Sequence, residues 1–230
     1  MGNISSDIKS GSSSGIVIDT IMSQISSCKL NPGDKLPSER ELAAQLNVSR
    51  ASIREGLKVL STLGFLDSTQ GSGNYISSNY TGTVQSLMRI MFMRGDITIA
   101  EFIVFREMLE REAFALCIDK ITPAQTDEMT QIVNLMDICK EESMIFELDR
   151  RLHTIIIQTA GNPLITTIFE SLLNVTTLFI ADVFHRTVSK RPHGYERLQS
   201  YHHQIVDALI SKDLDAGLKA LSDHFQQLEG

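Results

Sequence analysis

Apolar residues recur at helical spacing along almost the whole of this chain, and the pattern gives way to that of a β-hairpin at one place, residues 65–76. No other feature narrows the fold as far. Three- and four-residue spacing puts side chains on one face of a helix, whereas alternation puts them on one face of a strand. Ahead of the hairpin, Ile18, Ile21, Met22 and Ile25 define a first helix beginning near Ile16, and Asn31-Pro32-Gly33-Asp34 is a turn. Ser38 and Glu41 form a capping box that opens a second helix, which Asn47 stops. Ser49 caps a third, with Ile53, Leu57 and Leu60 inside and Gly64 at its end. Phe65–Ser68 and Tyr75–Ile76 then flank the loop 69–74. Helix, helix, turn, helix and hairpin are the outline of a winged helix-turn-helix.

After a linker at Ser77–Gly82 the reading is helical throughout, with helices expected over 83–93, 98–119, 123–139, 142–160, 163–187, 194–211 and 214–228. Asp96 or Thr98 can cap the second of these, and Thr122-Pro123 is a cap followed by proline at the first helical position. Gly161-Asn162-Pro163 is a sharp joint between two helices. The expected fold class is mainly α: a winged helix-turn-helix with a small β-hairpin wing, followed by an all-α antiparallel helical bundle. The domains would be a flexible Ser/Gly tail over 1–15, the winged module over 16–78 and the bundle over 79–230.

Net charge is −7, and it is unevenly placed. Residues 1–80 hold seven basic and seven acidic side chains, so the bundle carries the whole excess. A neutral module joined to an acidic one points to two jobs. The three cysteines, Cys28, Cys117 and Cys139, are far apart and read as buried or partly buried free thiols in a reducing cytoplasm. No apolar run approaches the roughly 20 residues of a membrane span. Met1-Gly2-Asn3-Ile4-Ser5-Ser6 fits the loose myristoylation pattern, a short pattern often matched by chance.

In a helix-turn-helix the start of the recognition helix faces base edges in the major groove. Here that turn carries Ser49, Arg50, Ala51, Ser52 and Arg54. Arginine bonds guanine bidentately, and serines and free N–H groups at a helix start hold phosphate. Arg50 and Arg54 are like charges one helical turn apart, an arrangement that costs a few tenths of a kcal/mol and that a phosphate or guanine contact would offset. The bland alternative is a solvated charged face. Arg40 would reach the backbone or groove edge, and Gln70-Gly71-Ser72-Gly73 is small enough to enter a minor groove.

The run Leu30-Asn31-Pro32-Gly33-Asp34-Lys35-Leu36-Pro37-Ser38-Glu39-Arg40-Glu41-Leu42-Ala43, with Val48-Ser49-Arg50-Ala51-Ser52-Ile53-Arg54-Glu55, Gly64-Phe65-Leu66 and Gly71-Ser72-Gly73, resembles the DNA-binding domain of GntR-family bacterial transcription regulators. The resemblance implies a homodimer on a short palindromic double-stranded operator, with DNA contacts at Arg40, Ser49, Arg50, Ser52, Arg54 and Gly71. Gly56 departs from the family's usual alanine, at a cost of up to about 1 kcal/mol of helix propensity.

In the bundle, polar ligand-type residues lie on apolar stripes. Asp149 and His153 share a face with Leu152 and Ile156, His202 with Ile205 and Leu209, and His224 with Leu221 and Phe225. An inward carboxylate is costly unless paired or bound to a cation. One Asp and three His suit a divalent metal such as zinc, nickel or manganese. The alternative is that each His is a satisfied core residue and Asp149 pairs with Arg150, Arg151 or Arg197. His203 points elsewhere, and His185 and His193 read as surface residues. Arg106 lies on the stripe of Phe102, Leu109 and Ala113 and needs an anion: either Glu110, one turn on, or the carboxylate of an effector.

Leu148–His153, Ala160–Leu164, His202 with Gln204–Val206, Ala208 and Asp213, and His224-Phe225 are similar to the FadR-type C-terminal effector domain, the FCD domain. That resemblance implies a metal on Asp149, His153, His202 and His224, and it points away from the acyl-CoA-binding branch, which lacks the metal site. The expected function is a cytoplasmic transcription regulator, a repressor or an activator, responding to a small organic or sugar acid. A metal-dependent hydrolase or lyase is the competing class. Against it, the chain lacks H-E-x-x-H, a P-loop, G-x-S-x-G and a Rossmann glycine pattern.

Overall fold

The structure is a computed structural model and describes residues 12–69, 71–78, 80–179 and 193–228. Ten helices and one two-stranded sheet are seen among the described residues. The chain divides into two compact units, the first ending at Thr83 and the second beginning at Val84.

In the first unit, α1 (Ser13–Ser26), α2 (Glu39–Leu46) and α3 (Arg50–Thr62) precede β1 (Leu66–Thr69) and β2 (Gly73–Ile76). α1 starts three residues earlier than its apolar spacing suggests, because the Ser12 side chain accepts from the Gly15 amide at 3.0 Å and caps the helix. Residues 13–15, expected in a flexible tail, are therefore its first turn; residues 1–11 lie outside the described residues. The α2 capping box forms as expected, and Asn47 ends the helix in the left-handed conformation. α3 is capped by the Ser49 side chain, which accepts from the Ser52 amide at 3.1 Å, and Gly64 follows its end with a φ of +77°. β1 and β2 pair antiparallel from Leu66↔Ile76 to Thr69↔Gly73, so the hairpin loop is tighter than expected. An isolated bridge joins Lys35 to Tyr75, and the Lys35 ammonium lies 5.6 Å from the Tyr75 ring centre. Val17, Ile18, Ile21, Leu42, Ile53, Leu57, Leu60, Leu66 and Ile76 are the core of this unit.

α4 (Thr81–Arg94) begins inside the expected linker and buries none of its residues. Next come α5 (Ile99–Cys117), α6 (Pro123–Ile138), α7 (Glu142–Ala160), α8 (Pro163–Phe179), α9 (Gly194–Ser211) and α10 (Leu214–Gln226). The part of the expected 163–187 helix beyond residue 179, with His185, lies outside the described residues. Thr98 and Thr122 each make a capping box, with Glu101 and Gln125. Gly161 takes the left-handed conformation that closes α7. α5 packs against α7, α8 and α10; α6 packs against α7 and α9; α9 packs against α10. One apolar cluster holds these helices together, with Phe114, Phe169 and Phe225 fully enclosed. Among the described residues, no helix is long and apolar enough to cross a membrane.

The cysteine expectation is corrected at one position. Cys117 is buried, and burial pushes its thiol up to about 11, but Cys28 is exposed in the turn after α1.

Gly56 has a packing reason. A Cβ there would lie 2.9 Å from the Val17 Cβ and 3.1 Å from the Ser14 carbonyl oxygen, because α1 crosses α3 at this glycine. Gly56→Ala should therefore destabilise the protein. The roughly 1 kcal/mol gained in helix propensity is set against an overpacking cost of about 1–3 kcal/mol. Thermal unfolding should show a lower Tm; an unchanged or raised Tm would remove this account of the glycine.

Candidate metal centre and DNA-binding face

α7, α9 and α10 bring Asp149, His153, His202 and His224 together. Each offers one ligand atom, and those atoms all lie within 4.8 Å of one another. Asp149 and His153 come from successive turns of α7, so they project from one face. His202 sits on the inner side of α9 and His224 on that of α10. Asp149 Oδ1 is 3.0 Å from His202 Nε2 and 3.6 Å from His153 Nε2. Ring centres are 4.7 Å apart for His202 and His224 and 5.0 Å for His153 and His224. All three rings are essentially buried, while the Asp149 side chain keeps 22% of its surface exposed.

Their surroundings differ from the satisfied-core alternative. His153 Nε2, His202 Nδ1 and His224 Nδ1 are buried with no hydrogen-bond partner among the described residues. Orphaned buried nitrogens are costly and call for an explanation, and a cation among them is one. Three imidazoles and a carboxylate fit a first-row divalent ion. Asp149 does not pair with the neighbouring arginines: Arg150 bonds Glu147 and Arg151 bonds Glu128. His203 turns away to Asp137 at 2.9 Å, and His193 is exposed, as expected of both.

α5 supplies the layer behind these ligands. Arg106 Nε donates to Glu110 Oε1 at 2.5 Å, and His153 Nδ1 bonds Glu110 Oε2. The internal partner foreseen for Arg106 is therefore present. Its bond to His153 crosses from another helix and leaves no local pattern to read. Arg106 Nη2 stays buried with no hydrogen-bond partner among the described residues, and the guanidinium lies between Phe169 (5.8 Å) and Phe225 (5.4 Å).

The electrostatics follow from crowding of charge in a dry site. Burial opposes the charge on His153, but Glu110 and Asp149 on either side overcome it and raise the imidazole to about 9. Burial likewise opposes the charge on Asp149, and His153 and His202 still hold the carboxyl well below its usual range. His202 is pushed down by burial, and His224 well down by burial together with the other two rings.

In the first unit, Arg40 on α2 and Ser49, Arg50 and Arg54 at the start of α3 are exposed, and Ser52 is half-buried. Ser49 Oγ is engaged in capping and lies 2.9 Å from Ser52 Oγ. No ion pair holds Arg40 or Arg50 among the described residues. Arg54 is engaged: its Nε donates to Glu39 Oε2 at 2.7 Å, a contact between α2 and α3 that the helix-by-helix reading missed. Gly71 is exposed at the wing tip with a φ of +78°, and Gln70 lies outside the described residues. Lys35, Ser38, Gln45, Gly71 and Ser72 line a groove between wing and α2.

A winged helix-turn-helix ahead of an all-helical domain is the plan of a two-domain transcription regulator, and comparison with known proteins agrees. Residues 14–76 match the gntR family of bacterial regulatory proteins and residues 101–227 match the FCD domain, so the chain belongs to the GntR family, in its FCD-containing branch. It is 29% identical to the HTH-type transcriptional repressor NanR of Citrobacter rodentium, over 85% of this chain and 76% of that one. It is 26% identical to a putative L-lactate dehydrogenase operon regulatory protein of Escherichia coli, over 90% of this chain and 81% of that one. Its fold is shared with a solved Streptococcus agalactiae GntR protein (TM-score 0.61, 21% identity, 93% of this chain and 97% of that one). These are families of regulators, not enzymes.

The buried ion pair yields a prediction independent of any ligand. Arg106→Met leaves the buried Glu110 carboxylate with the His153 imidazole alone, and breaking a buried pair of this kind costs about 3–5 kcal/mol. Urea unfolding should show a loss of that order, partly recovered in Arg106→Met combined with Glu110→Leu. A single variant within about 1 kcal/mol of the parent would contradict the pairing.

Proposed function

We propose that this regulator acts as a cytoplasmic homodimer that binds a palindromic double-stranded DNA operator through Arg40, Ser49, Arg50, Ser52, Arg54 and Gly71. Its FCD domain holds a divalent metal ion (zinc, nickel or manganese) on Asp149, His153, His202 and His224. A small organic or sugar acid is received there with its carboxylate at Arg106, and its binding alters operator affinity. The convergence of four ligand atoms from three helices, with unpartnered buried ring nitrogens among them, carries this reading.

The class of effector follows from charge. Arg106 and Glu110 cancel and the imidazoles that face a metal are neutral, which leaves Asp149 as the net formal charge. A dication held by these residues makes the site positive by one unit. A buried site of that sign favours an anion, and the unpartnered Nη2 of Arg106 is a donor for it. The relatives of this chain include both a repressor and a transcriptional activator, so likeness to them assigns no sign to the regulation. Homodimerisation is supported by Leu87, Ile90 and Met93 on α4 and Met108 on α5. A lone protomer leaves all four in water, at 60%, 54%, 70% and 65% exposure. A hydrolase or lyase finds no support in the family or in its regulators.

The DNA half is tested by selecting duplexes from a random pool with the full-length protein at low salt. Affinity for the selected duplex should fall linearly with log salt concentration, as phosphate contacts require. Arg50→Ala should cost about 1–3 kcal/mol if it reads a base, and Arg50→Ala with Arg54→Ala should abolish specific binding with metal content unchanged. Selection that returns no preferred sequence would defeat the reading.

The metal half has a pH signature. The proton held by His153 up to about pH 9 must leave before Nε2 can ligate an ion. Apparent zinc affinity should therefore weaken as pH falls, by roughly tenfold per pH unit below 9 while only that proton competes. His202 and His224 are shifted down and join only at lower pH. Calorimetry in buffers of different ionisation enthalpy should register about one proton released per ion at pH 7.5. Binding that is independent of pH between 6.5 and 8.5 would contradict this.

A further inference from the structure

Glu110 is fully enclosed, and both of its oxygens are spent, on two residues of opposite character. Oε1 accepts from the Arg106 guanidinium and Oε2 is bonded to His153 Nδ1. It is not among the four residues whose ligand atoms converge, although it lies directly behind one of them. The hydrogen bond has a definite consequence for the ring. A carboxylate is an acceptor only, so the shared proton resides on Nδ1 and the neutral imidazole presents its lone pair from Nε2. Nε2 is the His153 nitrogen that faces Asp149 and lacks a hydrogen-bond partner among the described residues. Arg106 supplies the positive charge that keeps the buried carboxylate ionised and able to accept.

We propose that Glu110 is the positioning residue of the metal centre. It fixes the tautomer and the ring orientation of His153, and through its other oxygen it ties that ligand to the arginine that receives the effector carboxylate. This rests on reading Asp149, His153, His202 and His224 as a metal site. A carboxylate behind a metal-bound histidine raises the basicity of the ligand and holds its angle, and removing such a partner typically lowers metal affinity 10–100-fold.

The test uses full-length protein at pH 8, with zinc affinity measured by competition against a fluorescent chelator. Glu110→Gln should bind zinc 10–100-fold more weakly than the parent. A purely structural role would instead lower the melting temperature of the metal-free protein and leave zinc affinity in place. Should the variant fail to fold, a structure of the zinc-loaded parent decides the question: His153 should coordinate through Nε2 with Nδ1 still on Glu110, and coordination through Nδ1 would overturn the proposal. A parent that binds no zinc, nickel or manganese overturns the metal reading itself. A parent that binds zinc no better than Glu110→Gln overturns the role of Glu110 alone.

Discussion

The second unit is organised around the cost of putting charge inside an apolar helical cluster. Arg106, Glu110, His153, His202 and His224 are all buried in the same body as Phe114, Phe169 and Phe225. A lone buried ion in such surroundings is unstable by several kcal/mol. The chain meets this by linking the groups in series: guanidinium to carboxylate on α5, carboxylate to imidazole on α7, and imidazole toward Asp149 with the two remaining rings. Three of the helix contacts in this unit, α5 with α7, α5 with α10 and α9 with α10, are those the series needs. The apolar stripes set how closely the helices approach, and the polar series sets which rotation of each is allowed.

The DNA-binding unit solves a different problem, that of presenting charge outward from a small body. α3 must expose the start of its helix while burying Ile53, Leu57 and Leu60, so its cap is made locally by Ser49 and its inner face is sealed by α1. The close crossing at Gly56 lets a helix of ordinary apolar side chains lie flat on α3. Holding Arg54 against Glu39 leaves Arg50, at the start of the same turn, with no ion pair among the described residues. Arg54 would then enter a DNA complex either by exchanging its carboxylate for a phosphate or by extending its unused nitrogens past it. If Arg54 contacts DNA as proposed, either route would make Glu39 part of the recognition surface, although the sequence marks it only as a residue in the first turn of α2.

What the sequence reveals and what it hides divide along physical lines. Caps at Ser38, Ser49, Thr98 and Thr122 were legible because each is a contact within three residues, and the stops at Asn47, Gly64 and Gly161 because their backbone conformation suits few other residues. The four ligand-type residues were legible because a polar residue on an apolar stripe contradicts its neighbours. Ser12 was missed as a cap because it sits in a run of serines that reads as a tail. The bonds Glu110–His153, 43 residues apart, and Arg54–Glu39, 15 apart, were not readable. Each end already had an adequate local explanation, and only tertiary packing brings the two together.

The same arrangement explains why a site of this kind suits regulation. The residues proposed as ligands come from α7, α9 and α10, with Arg106 and Glu110 from α5, so a bound ion and anion would engage four helices at once. A ligand shifts a conformational equilibrium only by the difference in its affinity for the two states. Contacts gathered from one helix would hardly change when helices move against each other, and their differential affinity would be near zero. Contacts drawn from four helices change whenever any one of them rotates. A shift from mostly one state to mostly the other requires about 5.5 kcal/mol of differential binding, a quantity that several charge-assisted contacts in a buried site can supply and an exposed pair cannot.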